Sequence, residues 1–272
     1  YNVLLGENLT QEFGYLAGTD EQRVADLHSM FQNKDVKAIF CLRGGFGAAK
    51  LLDKINYSLI RKNPKIFVGY SDITNLHLAF LAKAGLISFA GPMAASDFGG
   101  EIDPFAEESL WKVLTGSKKI GKIYNPDMEN FYSLNKGKGE GKLIGGSLSN
   151  IVNLIGTEYL PSFQNSILLL EDINEQPYKI DRMLNQLKLA KLLNKTQGII
   201  LGKFVDCFES DSDKKTLTLS QVIDNNLLSL EIPIIYNVKH GHIPDKITFP
   251  IGVKTKINAS HRIIQILESA VT

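Results

Sequence analysis

The sequence predicts an α/β fold, in which an N-terminal domain with a doubly wound, mostly parallel sheet precedes a smaller C-terminal α/β domain with mixed strands. In the first half, short apolar runs alternate with helical apolar stripes, as is typical of a parallel sheet covered by helices on both faces. From about residue 114 to 141 the chain becomes polar and rich in Gly and Lys, which indicates a crossing between domains. We therefore expect domains at residues 1–115 and 116–272.

The expected N-terminal elements follow one another in a regular order. Thr19 and Gln22 fit a capping box, which predicts that a helix begins there. Three apolar runs that precede turns predict strands, namely AIFCL at 38–42, IFVGY at 66–70 and GLISFAGPM at 85–93. The chain opens on YNVLLGEN, without an initiator Met and with the pattern of a strand's end. A first strand and helix of this domain are therefore expected to be missing.

The C-terminal domain is expected to combine strands with at least one long helix. Short antiparallel strands are predicted within the polar stretch that ends near residue 141. Further strands are predicted for the apolar runs at 166–170, 198–207 and 232–238. Pro177 predicts the start of a helix, because the apolar residues after it recur at helical spacing.

Composition and charge exclude several classes of protein. The chain has 272 residues, of which 44% are apolar, and can bury a substantial core. The net charge is +1 and the Lys and Arg residues are scattered, so we expect no nucleic acid and no membrane surface as a partner. No apolar run reaches the roughly 18 residues needed to cross a bilayer. Cys41 and Cys207 both lie in apolar runs, which favours buried, reduced thiols over a disulfide.

The stretch KIFVGYSDITNLHLAF, residues 65–80, places Ser71 at the corner between a strand and a helix. A serine becomes a nucleophile when it is exposed at a tight turn, has a base beside it and faces donors for the oxyanion. The nucleophile elbow of hydrolases has this geometry, although Ile73 stands where the G-x-S-x-G pattern has its second glycine. The alternative is that Ser71 or Asp72 only caps the helix.

Other segments offer partners for this serine. In LRGGFG, two glycines follow a strand directly, and the Gly45 N–H could bind either a phosphate or an oxyanion, although no G-K-[ST] follows. In LLLED, Glu171 ends a strand and could orient a histidine, with Asp172 as its equal competitor. In VKHGHIPDK, His240 and His242 lie next to glycine in an irregular segment.

Several of these motifs together resemble one known family. The segments AIFCLRGGFGAAKLL, NPKIFVGYSDITNLHLAF, GGSLSNIVNLIGTEYLP, LLLEDINEQPYKIDRMLNQL and GHIPDKITFPIG are similar to those of the LD-carboxypeptidases, a family of serine peptidases. That family includes the muramoyl-tetrapeptide carboxypeptidases of bacterial peptidoglycan recycling. The resemblance runs in order from about Gly14 to Gly252.

The resemblance implies a role for each candidate residue. The family uses a Ser-Glu-His triad, so the motifs imply Ser71 as nucleophile, Glu171 as acid and His242, rather than His240, as base. They also imply an oxyanion hole formed by the backbone N–H groups of Gly45 and Asp72. The serine then comes from the N-terminal domain, and the acid and base from the C-terminal domain.

The substrate expected from this resemblance is a murein tetrapeptide, from which hydrolysis of the L,D bond releases the terminal D-alanine. Arg43, beside the glycine turn, is a candidate to bind the substrate's free carboxylate, and its alternative is a structural salt bridge. No metal or cofactor is expected. The family also implies a cytoplasmic homodimer.

Three other functions stay open at the level of sequence. Relatives of this family are amidases that act on microcin C-like aminoacyl-nucleotides and confer self-immunity. A metallohydrolase could use His240 and His242 as an H-x-H pair, although a third ligand is not evident nearby. A binding protein could keep the fold without the chemistry, although the complete triad disfavours it.

Overall fold

The computed structural model describes residues 2–271. Within that range the helices are α1 (Asp20–Gln32), α2 (Tyr57–Lys62), α3 (Thr74–Ala84), α4 (Pro104–Thr115), α5 (Leu148–Asn153), α6 (Pro177–Leu189) and α7 (Leu219–Leu227). The strands are β1 (Ala38–Phe40), β2 (Ile66–Gly69), β3 (Ser88–Ala90), β4 (Gly121–Ile123), β5 (Tyr132–Asn135), β6 (Lys138–Ser147), β7 (Ser166–Ile173), β8 (Thr196–Val205), β9 (Ile234–Tyr236), β10 (Phe249–Ile251), β11 (Lys254–Asn258) and β12 (Ile263–Ile266). The α/β class is therefore confirmed.

The first sheet has four strands in the order β1-β2-β3-β10. The first three are parallel to one another, as the alternation of strands and helices predicts. The fourth strand, β10, comes from near the end of the chain and pairs antiparallel with β3. The C-terminal half thus contributes a strand to the sheet of the N-terminal half.

The second sheet has eight strands in the order β4-β12-β11-β6-β7-β8-β9-β5. Its centre, from β6 to β9, is parallel, and the remaining pairings are antiparallel. Mixed strands and short antiparallel strands in the polar stretch were both expected and are present. The larger sheet nevertheless belongs to the half that we expected to be smaller, because all eight of its strands lie between residues 121 and 266.

One apolar core joins the two halves. Phe31, Phe67 and Phe80 belong to the same cluster of buried side chains as Ile144 and Leu168 of the larger sheet. The expected domain boundary at 115/116 falls between α4 and β4 and stays a prediction, since β10 returns to the first sheet.

The start of the described chain contains no strand up to residue 19, only an isolated bridge between Phe13 and Leu16. The expectation of a missing first strand and helix stays a prediction. Both cysteines lie just beyond strand ends rather than within strands; Cys207 is buried, Cys41 is half-buried and both are free. In residues 2–271 no helix is both long and apolar enough to cross a membrane.

Candidate active site

Ser71 lies where β2 turns into α3. A short 3₁₀ turn, Ser71–Ile73, links the two elements, and Ser71 has a φ of 65°, in the left-handed region that residues other than glycine seldom adopt. The turn closes tightly, because a Cβ added to Gly69 would lie 2.9 Å from Ile73 Cγ2. Ile73 therefore folds back onto Gly69, which explains why this corner needs its glycine before the serine and not after it. Ser71 is half-buried, and a strained backbone at such a strand-to-helix corner is the geometry of a nucleophile elbow.

The alternative role of Ser71 or Asp72 as a helix cap is not what the structure shows. The residue at the N-cap position of α3 is Ile73, and no side chain caps the helix. Asp72 instead accepts a hydrogen bond from the backbone N–H of Ala48 at 2.8 Å and one from Asn75 Nδ2 at 3.1 Å. Burial raises the pKa of Asp72, and these hydrogen bonds oppose that shift.

The glycine turn after β1 lies against the serine. A Cβ added to Gly44 would be 2.9 Å from Ser71 Cβ and 3.0 Å from its Oγ, so only glycine fits beside this side chain. Gly45 follows with a φ of 119°. Within residues 2–271, no acceptor takes a hydrogen bond from the backbone N–H of Gly45 or Asp72. Two unpaired donors thus flank the candidate nucleophile.

Glu171 and His242 form a hydrogen-bonded pair. Glu171 Oε2 lies 2.8 Å from His242 Nδ1, and the carboxylate is buried, with 1% of its side chain exposed. Gly241 has a φ of 117°, and a Cβ there would lie 2.7 Å from Glu171 Oε2. The G-H sequence is therefore required for the imidazole to reach the carboxylate.

The other two candidates for these roles have different partners. His240 is buried and its Nδ1 lies 2.8 Å from the carbonyl oxygen of Ile247. Burial lowers the pKa of His240 and so favours its neutral form. The two histidines thus have separate partners, and the part of the chain from 2 to 271 has no group of three side chains suited to a metal ion. Asp172 accepts from the Ser149 N–H at 2.8 Å, and burial raises its pKa to about 6.

The two halves meet at the residue before the serine. The Tyr70 ring and the His242 imidazole form a T-shaped pair, with 5.1 Å between the ring centroids. Since Tyr70 is adjacent to Ser71, this contact brings the imidazole–carboxylate pair to the serine corner. The turn after β2 contributes the serine, β7 contributes Glu171, and the irregular segment before β10 contributes His242.

A network of amide and hydroxyl groups, which the sequence does not predict, supports the serine corner from the C-terminal half. Asn75 Nδ2 donates to Asn150 Oδ1 at 2.7 Å, and Asn150 Nδ2 donates to Ser147 Oγ at 2.8 Å. Ser147 Oγ is 3.0 Å from Ser149 Oγ, and the Ser149 N–H binds Asp172. The polar residues of GGSLSN were the available signal, because they follow a buried strand directly.

Within residues 2–271, Arg43 forms no salt bridge. Its side chain is exposed, and no carboxylate among the described residues lies within ion-pair distance of its guanidinium. Its Nη2 lies 3.7 Å from the position that a Cβ on Gly45 would occupy. A free guanidinium therefore lies over the glycine turn beside Ser71.

A serine corner close to a buried carboxylate–imidazole pair has the parts that a serine–histidine–acid hydrolase requires. Comparison with known proteins identifies the group more closely. Residues 1–91 match the LD-carboxypeptidase N-terminal domain and residues 140–257 match the LD-carboxypeptidase C-terminal domain. The chain belongs to the LD-carboxypeptidase family, and this membership indicates peptidase activity.

Individual relatives agree with this assignment. The chain is 40% identical to the probable murein peptide carboxypeptidase of Bacillus subtilis over 96% of its own length and 81% of the relative's. It is 32% identical to the microcin C7 self-immunity protein MccF of Escherichia coli, over 93% of this chain and 80% of MccF. The crystal structure of the muramoyltetrapeptide carboxypeptidase from Oxalobacter formigenes superposes with a TM-score of 0.84 at 30% identity, over 95% of this chain and 87% of that one.

Proposed function

We propose that this protein is a serine-type LD-carboxypeptidase that hydrolyses the L,D peptide bond of murein tetrapeptide and releases the terminal D-alanine during peptidoglycan recycling. The observation that carries the proposal is the hydrogen bond of 2.8 Å between His242 and the buried Glu171, on an imidazole that also touches the residue before Ser71. The similarity to carboxypeptidases named for murein peptides supports the choice of substrate.

The proposed reaction begins with activation of the serine. Glu171 accepts the Nδ1–H of His242, which leaves Nε2 unprotonated and able to take the proton of Ser71 Oγ. The oxygen then attacks the carbonyl carbon that precedes D-alanine. Burial of Glu171 strengthens its attraction for the imidazolium that forms, because the local dielectric is low.

The tetrahedral intermediate is proposed to be stabilised by the N–H groups of Gly45 and Asp72. Removing one such donor typically costs about 3–4 kcal/mol of transition-state stabilisation. His242 then protonates the departing amine of D-alanine. In the second half, His242 takes a proton from the water that attacks the acyl carbonyl and returns it to Ser71 Oγ as the bond between the acyl carbon and Oγ breaks. Arg43, free of ion pairs within the described chain, is proposed to bind the substrate's terminal carboxylate.

The decisive experiment measures release of D-alanine from L-Ala-D-Glu-meso-diaminopimelate-D-Ala. The wild-type protein should hydrolyse this peptide in the presence of a strong chelator, whereas Ser71→Ala and His242→Ala should lose at least about 10³-fold in kcat. A serine-directed phosphonate should add its mass to Ser71 alone. Full hydrolysis by Ser71→Ala would remove the serine as nucleophile, and loss of activity on chelation would favour the metallohydrolase.

The similarity to MccF supports a second candidate, an amidase that acts on a microcin C-like aminoacyl-nucleotide. Incubation with the tetrapeptide and with processed microcin in parallel distinguishes the two functions by which substrate is consumed. A wild-type protein inert toward both would favour the non-catalytic alternative. We also propose a cytoplasmic homodimer, which light scattering and cell fractionation test directly.

A further inference from the structure

A buried ion pair lies behind the tyrosine that touches His242. Lys246 Nζ contacts Asp97 Oδ1, and the two side chains are only 3% and 11% exposed. The same Nζ lies 4.1 Å from the centroid of the Tyr70 ring, which is a cation–π contact. Asp97 also accepts from the Met93 N–H at 2.8 Å. Burial and the nearby charge of Asp97 raise the pKa of the Tyr70 hydroxyl, which favours its neutral form. The tyrosine thus has a cation at its ring and the carboxylate partner of that cation close to its hydroxyl.

This arrangement lies between the two halves of the site. Asp97 and Tyr70 belong to the N-terminal half, whereas Lys246 follows His242 by four residues in the same irregular segment. The imidazole of His242 packs against the Tyr70 ring, and the ammonium group of Lys246 lies over the face of the same ring. His240 and Glu171 are the other ionisable groups that interact electrostatically with Lys246 or His242 at this point.

Burying the charges of Lys246 and Asp97 costs free energy of desolvation, and filling space in the interior does not require charged side chains. Burial lowers the pKa of Lys246, so desolvation opposes its charge, and Asp97 is needed to keep it protonated. An apolar residue would fill the same space without that cost. What only a cation provides here is attraction for the face of Tyr70, which holds the ring in one orientation against the imidazole.

We propose that Lys246, held by Asp97, fixes the Tyr70 ring against His242 and is thereby a positioning residue for the base. The inference rests on the proposed function, since it assumes that His242 takes the proton of Ser71. Hydrogen bonding to Glu171 fixes the imidazole at Nδ1 but does not by itself set the tilt of the ring plane. In the proposal, the contact with the tyrosine ring sets this tilt and directs Nε2 toward Ser71.

The test compares Lys246→Met with Lys246→Arg, which keeps the charge, and with Tyr70→Leu, which removes the ring. Lys239→Met is the matched control, because Lys239 forms an ion pair with Asp245 at 2.9 Å in the same segment without touching the site. The readouts are kcat and KM for D-alanine release, the rate constant for phosphonate modification of Ser71, and the thermal midpoint. The phosphonate reports on activation of Ser71 even if the tetrapeptide is not the substrate.

Lys246→Met should lower kcat and the modification rate by about tenfold while KM changes less than twofold, because only proton transfer is impaired. Lys246→Arg should keep most of the wild-type kcat and modification rate, because it retains the positive charge. In the Tyr70→Leu background, Lys246→Met should have less than a twofold further effect, because its action passes through the ring. If Lys246→Met does not fold, the variant with Asp97→Asn added removes both charges and should show the same tenfold loss.

Several results would overturn the proposal. A raised KM with an unchanged kcat would mean that Lys246 binds substrate, and an undiminished effect in the Tyr70→Leu background would mean that it acts independently of the ring. Normal phosphonate modification of Lys246→Met would also reject it. By contrast, rapid modification of the wild type without any D-alanine release would refute the proposed substrate and leave this inference standing.

Discussion

Glu171→Gln tests the assignment of the acid most sharply. The carboxylate is 1% exposed and lies 2.8 Å from His242 Nδ1, so a glutamine of the same shape can replace it without opening a cavity. The amide can donate to Nδ1, however, and would then stabilise the tautomer that carries its proton on Nε2. That tautomer cannot accept the proton of Ser71.

The expected loss follows from this change of tautomer together with the missing charge. The equivalent carboxylate-to-amide change in a serine–histidine–acid triad costs about 10⁴-fold in kcat, which corresponds to about 5.5 kcal/mol of transition-state stabilisation. We expect a loss of this size in D-alanine release, with KM changed less than threefold. Phosphonate modification of Ser71 should slow in parallel.

The neighbouring carboxylate supplies a matched comparison. Asp172 is equally buried, but it binds the Ser149 N–H rather than a histidine, so Asp172→Asn should cost about tenfold or less. A Glu171→Gln protein that keeps more than a tenth of the wild-type kcat would refute the role of Glu171. An Asp172→Asn protein that loses as much as Glu171→Gln would show that the two carboxylates act together.

Three further outcomes are expected. Gly44→Ala should lower kcat by about 10²-fold, because its Cβ would lie 2.9 Å from Ser71 Cβ and displace the Ser71 side chain. Circular dichroism should show normal secondary structure. A wild-type kcat would contradict the close approach of Gly44 to Ser71. Arg43→Ala should raise KM for the tetrapeptide about tenfold with less than a twofold change in kcat, and a peptide amide lacking the terminal carboxylate should bind both proteins equally. The folded-state pKa of Asp172 is raised to about 6, so its contribution to stability is present at low pH and is lost as the pH rises from about 4 to 6. Wild type should lose about 3 kcal/mol more than Asp172→Asn over that interval in guanidinium unfolding, and parallel curves would contradict the raised pKa.

Much of the site could be predicted because its signals are local. The corner at Ser71 follows from a buried strand, a glycine and a helical pattern, all within residues 65–80. The choice of His242 over His240 was different, since both histidines lie in the same irregular segment. It came from the family resemblance, and the structure gives its physical basis in the glycine at 241, whose positive φ allows close approach to Glu171.

The polar network around Asn150 and the ion pair of Lys246 and Asp97 at Tyr70 could not be predicted, because their members are distant in sequence. Asn75 and Asn150 are separated by 75 residues, and Lys246 and Asp97 by 149. No periodicity or spacing brings such pairs together, and each residue alone is typical of an exposed polar position. Only the packing of the two halves makes them neighbours.

The return of β10 to the first sheet explains how the two halves of the chain are held together at the site. Strand β10 pairs with β3, which is the neighbour of β2 and therefore lies one strand from the serine corner. A Cβ on Gly91 would lie 2.6 Å from Thr248 Oγ1, so the segment that leads into β10 presses closely on the end of β3. His242 precedes this anchored segment by a few residues, so the strand pairing holds it close to Tyr70, the residue before Ser71. The proposed base thus depends on backbone hydrogen bonds to the N-terminal sheet for its place, whereas Glu171 depends on the C-terminal sheet.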